Sequence, residues 1–481
     1  MDLHQDSPTP PSAPGSHRIV SKLASLLSAR WIREIFQAAF LIYLARVSTS
    51  TYGEFMLALS LGGILLLTAE FGLNLPLVGL LTKKDGDPKE VLTQMLLLKS
   101  GLLTLAYVGV VGFVSWQQYS SPLREFALVI SLGMGLEAIS TTFFTTLQVQ
   151  GRQPLEGKIR AVAAFVGFGY GFVALLYGAS PLAIALFKPI ETVINITWGA
   201  SAVGLRGLWH WPSLAGLGAT FRRVFIFAIL EVTAVIYNKA NIFFLQKYGG
   251  SEGVAQYSAT WQIVDGCSSI AANLILQSVL FPLFVKFWEV DRQEVNRLAR
   301  STARWLLCLA LVLMLTLFVE RDRIIPLIYG PHYSKAVWLQ QFLVITILFS
   351  FFHNLAGFLL ISMRLERLLV AVYLGALAFN LLVCGTVIPR APLWGAALAI
   401  ILTKGGMACI TFGFIQRRLR ILNLRDLLEV VGTFLGGLGL YKVGLVFLRR
   451  GQALTLGVLF MAVLWRYWMV RSARRAAAAK K

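Results

Sequence analysis

Fourteen apolar runs, joined by connections of about twenty residues at most, leave this chain very few ways to fold. They cover approximately 24–45, 55–80, 92–114, 124–147, 161–178, 181–201, 222–245, 257–285, 304–319, 337–362, 368–388, 393–415, 428–447 and 453–470. A helix of about 20 apolar residues crosses the hydrocarbon core of a bilayer. Inside lipid, only helices and closed barrels satisfy their own backbone polar groups. Barrel strands are short and alternating, whereas these runs are long and continuously apolar. The composition agrees: 57% hydrophobic and 14% charged, with mean hydropathy +0.70, where soluble domains carry about 25% charged residues. The expected fold class is all-α, a polytopic membrane protein of about 14 transmembrane helices. No connection has room for a soluble catalytic or nucleotide-binding domain, and neither GxxxxGKS/T nor HExxH occurs. We therefore expect no enzyme, no cofactor and no metal site. Cys267, Cys308, Cys384 and Cys409 lie far apart in apolar runs, as small core residues rather than a disulfide framework.

A net charge of +21 raises the question of nucleic acid, but the placement of the charge answers it. With fourteen spans and an internal N-terminus, 30 of the 44 lysines and arginines fall on one side and 9 on the other, with 5 inside the runs. Short cytoplasmic loops carry this excess, so both termini are expected in the cytoplasm. The basic face meets anionic membrane lipids, and no nucleic-acid partner is expected. Residues 1–17, rich in Pro and Ser, read as a disordered cytoplasmic tail rather than a signal peptide. Residues 471–481 read as a basic cytoplasmic tail that anchors the topology.

Polar residues inside the runs are the candidates for function, because a charge facing lipid costs roughly 2.5–3.5 kcal/mol even on lenient scales. The seventh run carries Glu231, Asn238, Lys239 and Asn241. Glu231 and Asn238, seven apart, share a helix face with Lys239 and Asn241 beside it. The stripe lines a cavity for an anionic cargo, or else Glu231 and Lys239 pair to fix packing. Arg30 and Arg33 in the first run are further cations, set either for cargo or for topology and lipid heads. Glu70, with Asn74 one turn on, lines a cavity or caps backbone near Gly72. Asp265, beside Gln262 in the eighth run, is a proton acceptor or a structural hydrogen-bonding group, and Glu231 is the other carboxylate considered for ion coupling. Lys188 and Glu191 read as a pair neutralised within one helix, and Lys404 and Lys442 as snorkelling side chains.

The chain also repeats itself at about half length. Tyr52-Gly53-Glu54-Phe55 follows Arg46-Val47 much as Val254-Ala255-Gln256-Tyr257 follows Lys247-Tyr248-Gly249-Gly250. This organisation predicts an N-terminal lobe at 18–205, a C-terminal lobe at 219–420 and two additional helices within 426–470. The two six-helix lobes are pseudo-symmetric about an axis along the membrane normal. Duplicated transporters place their substrate path between such halves.

The ordered segments LARVSTSTYGEFMLALSLGG (44–63), EFGLNLPLVGLL (70–81), KYGGSEGVAQYSATWQI (247–263), SVLFPLF (278–284), IPLIYGPHYSKAVWLQ (325–340) and VIPRAPLWGAALAI (387–400) carry a family resemblance. The chain resembles Wzx-type polysaccharide-unit flippases, in the polysaccharide transporter branch of the multidrug/oligosaccharidyl-lipid/polysaccharide exporter superfamily. The resemblance implies a bacterial inner-membrane protein with two lobes flanking a central, often cationic, cavity. It implies a cargo of undecaprenyl-pyrophosphate-linked oligosaccharide, moved to the outer leaflet for surface or exported polysaccharide, with polymerase and glycosyltransferase partners. It carries over a basic residue in the seventh run as Lys239, but the aspartate that often follows two positions later is Asn241 here. The alternative is a drug or cation/proton antiporter of the same superfamily.

Overall fold

The computed structural model describes residues 16–82, 87–204, 214–271, 276–277, 279–422 and 424–478. Each of the fourteen apolar runs carries helix, and no strand occurs among the described residues. Among the described residues, ten helices are long and apolar enough to cross a membrane. The chain is an all-α, polytopic membrane protein, as its sequence predicts. Residues 1–15 of the N-terminal tail and 479–481 of the C-terminal tail lie outside the described residues, while 471–478 continue the last helix.

Two compact units divide the fold: residues 1–41 with 65–224, and residues 42–64 with 225–481. The first unit holds most of α1 (Ser16–Val47), the end of α2 (Thr49–Glu70), α3 (Asn74–Leu81), α4 (Pro88–Trp116), α5 (Ser121–Val149), α6 (Gln153–Leu176), α7 (Pro181–Ala185) and α8 (Phe187–Val203). Local sequence sets these limits. Asp87 caps α4 by accepting from the Lys89 amide at 2.9 Å, with Pro88 at the first helical position. The run read as 55–80 is two helices, because the backbone turns left-handed at Phe71 and Gly72. The 17-residue α8 follows α7 after the single residue Leu186. It packs against both α5 and α6, and glycine makes this approach feasible. A Cβ at Gly133 would stand 2.8 Å from the Pro189 nitrogen, and one at Gly167 would stand 2.8 Å from Glu191 Cβ. Phe40 fills the adjoining core, its ring centroid 5.2 Å from that of Phe187 and 5.5 Å from that of Phe172.

The second unit holds the α1–α2 turn and α9 (Leu214–Ala271) from Phe225 onward. It continues through α10 (Phe281–Val290), α11 (Arg292–Val319), α12 (Arg321–Tyr329), α13 (Ser334–Leu343), α14 (Ile345–Ser362), α15 (Glu366–Val387), α16 (Pro392–Leu419), α17 (Leu424–Phe447) and α18 (Arg450–Ala478). The seventh run and the start of the eighth join in α9 across a kink at Gly250, whose φ of 65° suits glycine. Asp291 separates α10 from α11 by capping the latter. The repeated stretches meet in this unit: Gly53 lies against the Ser251 carbonyl and close to Ala255, its counterpart in the repeat. Beside them, Tyr333 Oη donates to the Ala45 carbonyl at 3.0 Å and Arg46 Nε to the Ile328 carbonyl at 2.8 Å. The rings of Tyr52, Tyr329 and Tyr333 cluster within about 6 Å of one another.

Candidate functional site

In the first unit, the close approach of α8 to α5 gathers four charges out of lipid. Arg33 donates through Nε to Glu191 Oε1 at 2.8 Å and through Nη2 to Glu137 Oε2 at 3.1 Å. Lys188 Nζ lies 2.8 Å from Glu137 Oε2 and 2.8 Å from Glu191 Oε2. Two cations thus offset two carboxylates. The pairing of Lys188 with Glu191 is part of this wider network, which also takes in Arg33. Nearby, Lys99 is fully buried and uses three ammonium donors on Asn74 Oδ1 (2.6 Å), the Ala138 carbonyl (2.9 Å) and Thr141 Oγ1 (3.2 Å). Asn74 in turn donates to Glu70 Oε1 at 3.1 Å, so Glu70 ends a polar chain running through Asn74 to Lys99. The side chain of Arg30 lies outside the described residues.

In the second unit, α9, α14 and α16 enclose a polar cavity of about 140 Å³ lined by Tyr237, Asn238, Asp265, Ser350, His353 and Lys404, among others. Lys404 is the residue that organises it. Its Nζ sits 2.9 Å from Asp265 Oδ1, 3.1 Å from Ser350 Oγ and 4.6 Å from the centroid of the Trp261 ring. Lys404 therefore does not snorkel; it is buried and paired. His353 bridges Thr411 Oγ1 (3.2 Å) and the Tyr373 hydroxyl (2.9 Å). Asn238 donates to the Ala234 carbonyl at 2.9 Å, and its Oδ1 has no hydrogen-bond partner among the described residues.

The polar stripe of the seventh run is divided by packing. Asn241 is fully buried and donates to the Tyr257 hydroxyl at 2.5 Å, which makes it a packing residue in this structure. Glu231 is exposed. Lys239 is half-buried and makes no hydrogen bond or ion pair among the described residues, so it does not pair with Glu231. It does feel Asp265 and Lys404 electrostatically. Lys404 holds the direct bond to Asp265, so Lys239 is the cation of this group without a bonded carboxylate, and Asp265 reaches it only through space. The structure thus brings Asn238, Asp265 and Lys239 together in the second unit, while Glu70 and Arg33 belong to the first.

Lys99, Glu137, Lys404 and His353 carry much of this polar architecture without having been singled out for it from sequence. The signal was present: each is an isolated polar residue in an apolar run, the same feature that picks out Asp265. Among the described residues, no group of three or more His, Cys, Asp or Glu side chains is arranged to hold a metal.

A helical polytopic chain with charge networks buried in its spanning helices defines a class, and solved structures give the class its fold. The chain is similar to a structure described as the lipid II flippase MurJ in an inward closed conformation. The TM-score is 0.71 at 11% identity, covering 94% of this chain and 99% of that one. It is similar also to an inward-facing multidrug resistance MATE family transporter of the MOP superfamily (TM-score 0.64, 13% identity, 82% and 98% covered). A MOP superfamily transporter from Pyrococcus furiosus aligns at TM-score 0.52 and 12% identity, over 84% and 95% of the two chains. The fold is that of the MOP superfamily transporters. The model of the polysaccharide biosynthesis protein family matches residues 19–288, and the chain belongs to that family. No curated protein sequence matches it.

Proposed function

We propose that this protein is a flippase that carries polyisoprenyl-pyrophosphate-linked oligosaccharide across the bacterial inner membrane, with Lys239 engaging the pyrophosphate. The observation that carries this reading is Lys239 itself, a half-buried cation in a membrane helix that no carboxylate bonds directly among the described residues. A diphosphate passing through a region poor in water needs such a charge. An ammonium offers a mobile point charge rather than a rigid two-pronged clamp, which suits a cargo that must be released. Membership of the polysaccharide biosynthesis family and a fold shared with a lipid II flippase support the cargo class. Arg33 has a weaker claim on the cargo, since Glu137 and Glu191 already occupy it. Alternating access of two pseudo-symmetric lobes would move the cargo without covalent chemistry, between a polymerase and glycosyltransferases acting on either side.

The test measures surface glycan and membrane abundance together. Lys239→Gln should lower glycan export at near-normal abundance, and Lys239→Arg should keep part of it. Full export by Lys239→Gln at normal abundance removes Lys239 from the cargo path. Cysteines placed at Ser16, Ser334 and Ser472 test the orientation: only Ser334 should label from the periplasm.

The second reading, a drug or cation/proton antiporter, draws on Asp265, a carboxylate lining the cavity of the second unit. The Lys404 ammonium 2.9 Å away offsets it, which disfavours a free cation there.

A further inference from the structure

We propose that the groove between α14 and α15 is a binding site for an anionic phospholipid, distinct from the cargo path. Both helices pack along α16 and touch each other far less, the His353–Tyr373 hydrogen bond of 2.9 Å being one link between them. The gap they leave is an apolar cavity of about 290 Å³, lined by Leu360, Leu368, Val372, Ile410 and Phe414 with Arg417 at its end. Its walls would accept an acyl chain, and its charge selects the head. Arg417 lies in the last turn of α16, exposed and with no hydrogen bond or ion pair among the described residues. Arg418 follows it, its guanidinium 4.8 Å from the centroid of the Phe414 ring, so a second cation stands over a wall of the groove. Neither arginine meets a carboxylate among the described residues, whereas Arg364, in the turn between α14 and α15, pairs with Glu289 at 2.8 Å. An apolar slot in a spanning surface that ends in two unpaired guanidinium groups fits one phosphodiester and its tail.

The groove also reaches the polar cavity. Thr411 is part of the groove lining, and its hydroxyl bonds His353, which lines the cavity of Asp265 and Lys404. Lipid in the groove would therefore press on the helix that supports that ion pair.

Gly413 supplies a clean probe, because a Cβ there meets nothing within 4 Å. Gly413→Leu should fill the groove without disturbing the fold. The full-length protein, purified in detergent, is titrated with phosphatidylglycerol or phosphatidylcholine of identical chains, and retained lipid is read by native mass spectrometry. Phosphatidylglycerol should be retained preferentially. Arg417→Gln and Arg418→Gln should each weaken retention about fivefold, the effect of one basic residue near an anionic head. Arg417→Lys should keep most of it, and Gly413→Leu should lower it at unchanged thermal stability. Bound phosphatidylglycerol should also slow alkylation of the exposed Cys409 in the groove. Equal retention of the two lipids, or a preference that survives all the Gln and Leu variants, overturns the proposal. So does retention of undecaprenyl phosphate in place of phosphatidylglycerol, which would assign the groove to cargo. Because retention is measured without transport, loss of this site and loss of the flippase reading are separate outcomes.

Discussion

Neutralising Glu191 should destabilise the first unit more than removing the whole Lys188–Glu191 pair. The Glu191 side chain is fully buried and receives Arg33 and Lys188, each at 2.8 Å. Glu191→Gln keeps the shape but leaves two cations sharing Glu137 alone. Breaking a buried ion pair on one side typically costs about 3–5 kcal/mol, because a charge remains buried without compensation. At about 2–4 °C per kcal/mol for a unit of this size, the apparent unfolding midpoint should fall by about 6–20 °C. Glu191→Gln/Lys188→Met leaves Arg33 and Glu137 balanced and should recover most of that loss, since exchanging a buried pair for apolar groups is often near neutral. Tryptophan fluorescence in detergent, scanned at one fixed rate because unfolding is presumed irreversible, suits the test. Trp198 packs beside Phe144 and Leu147 on the same helix as Glu191 and reports locally. A single variant that melts with the wild type, or a double variant less stable than the single, would refute this account of the cluster.

Gly53→Val should reduce membrane abundance sharply, because even the Cβ meets the Ser251 carbonyl and backbone has little freedom to yield; overpacking costs about 1–3 kcal/mol where side chains are able to adjust. Immunoblotting of membrane fractions checks it, with Gly63→Ala, whose Cβ meets nothing within 4 Å, as the control. If Asp265 or Glu231 couples transport to protons, Asp265→Asn or Glu231→Gln should diminish gradient-driven flipping in proteoliposomes while cargo binding persists. Unchanged gradient dependence in both variants rejects that role, and Asp265→Asn/Lys404→Met distinguishes it from simple loss of the ion pair. Outside the spans, hydrogen bonds from Arg450 hold the Asp322 carboxyl below the usual carboxylate range. A lowered folded-state value means that this contact stabilises above the unfolded value of about 3.9 and is lost as pH falls through the folded one. Amide protection factors at the start of α18, corrected for the intrinsic exchange rate, should therefore decrease once the pH is below about 4, and Arg450→Gln should abolish that decrease. The effect will be small, because Asp322 is half exposed and screened by salt.

Helix content and the membrane environment were legible in the sequence because a run of about 20 apolar residues has one low-energy solution in lipid whatever surrounds it. Helix limits were less so. The break at Phe71–Gly72 falls inside the run at 55–80, which reads as continuous. The isolated charges announced themselves too, as residues that had to turn from lipid. Their partners did not. Glu191 lies three residues from Lys188 and one was read as the other's partner, yet Arg33, 158 positions away, shares the same carboxylate. Lys404 read as a snorkelling lysine and instead meets Asp265, 139 positions earlier. Lys239 read either as cavity lining or as a partner for Glu231, and among the described residues it bonds no carboxylate directly and lies within reach of Asp265. Hydrophobicity is a property of one segment and can be read along the chain. Charge compensation depends on which helices approach closely enough to share a carboxylate, and only the tertiary packing of small residues such as Gly133 and Gly167 decided that.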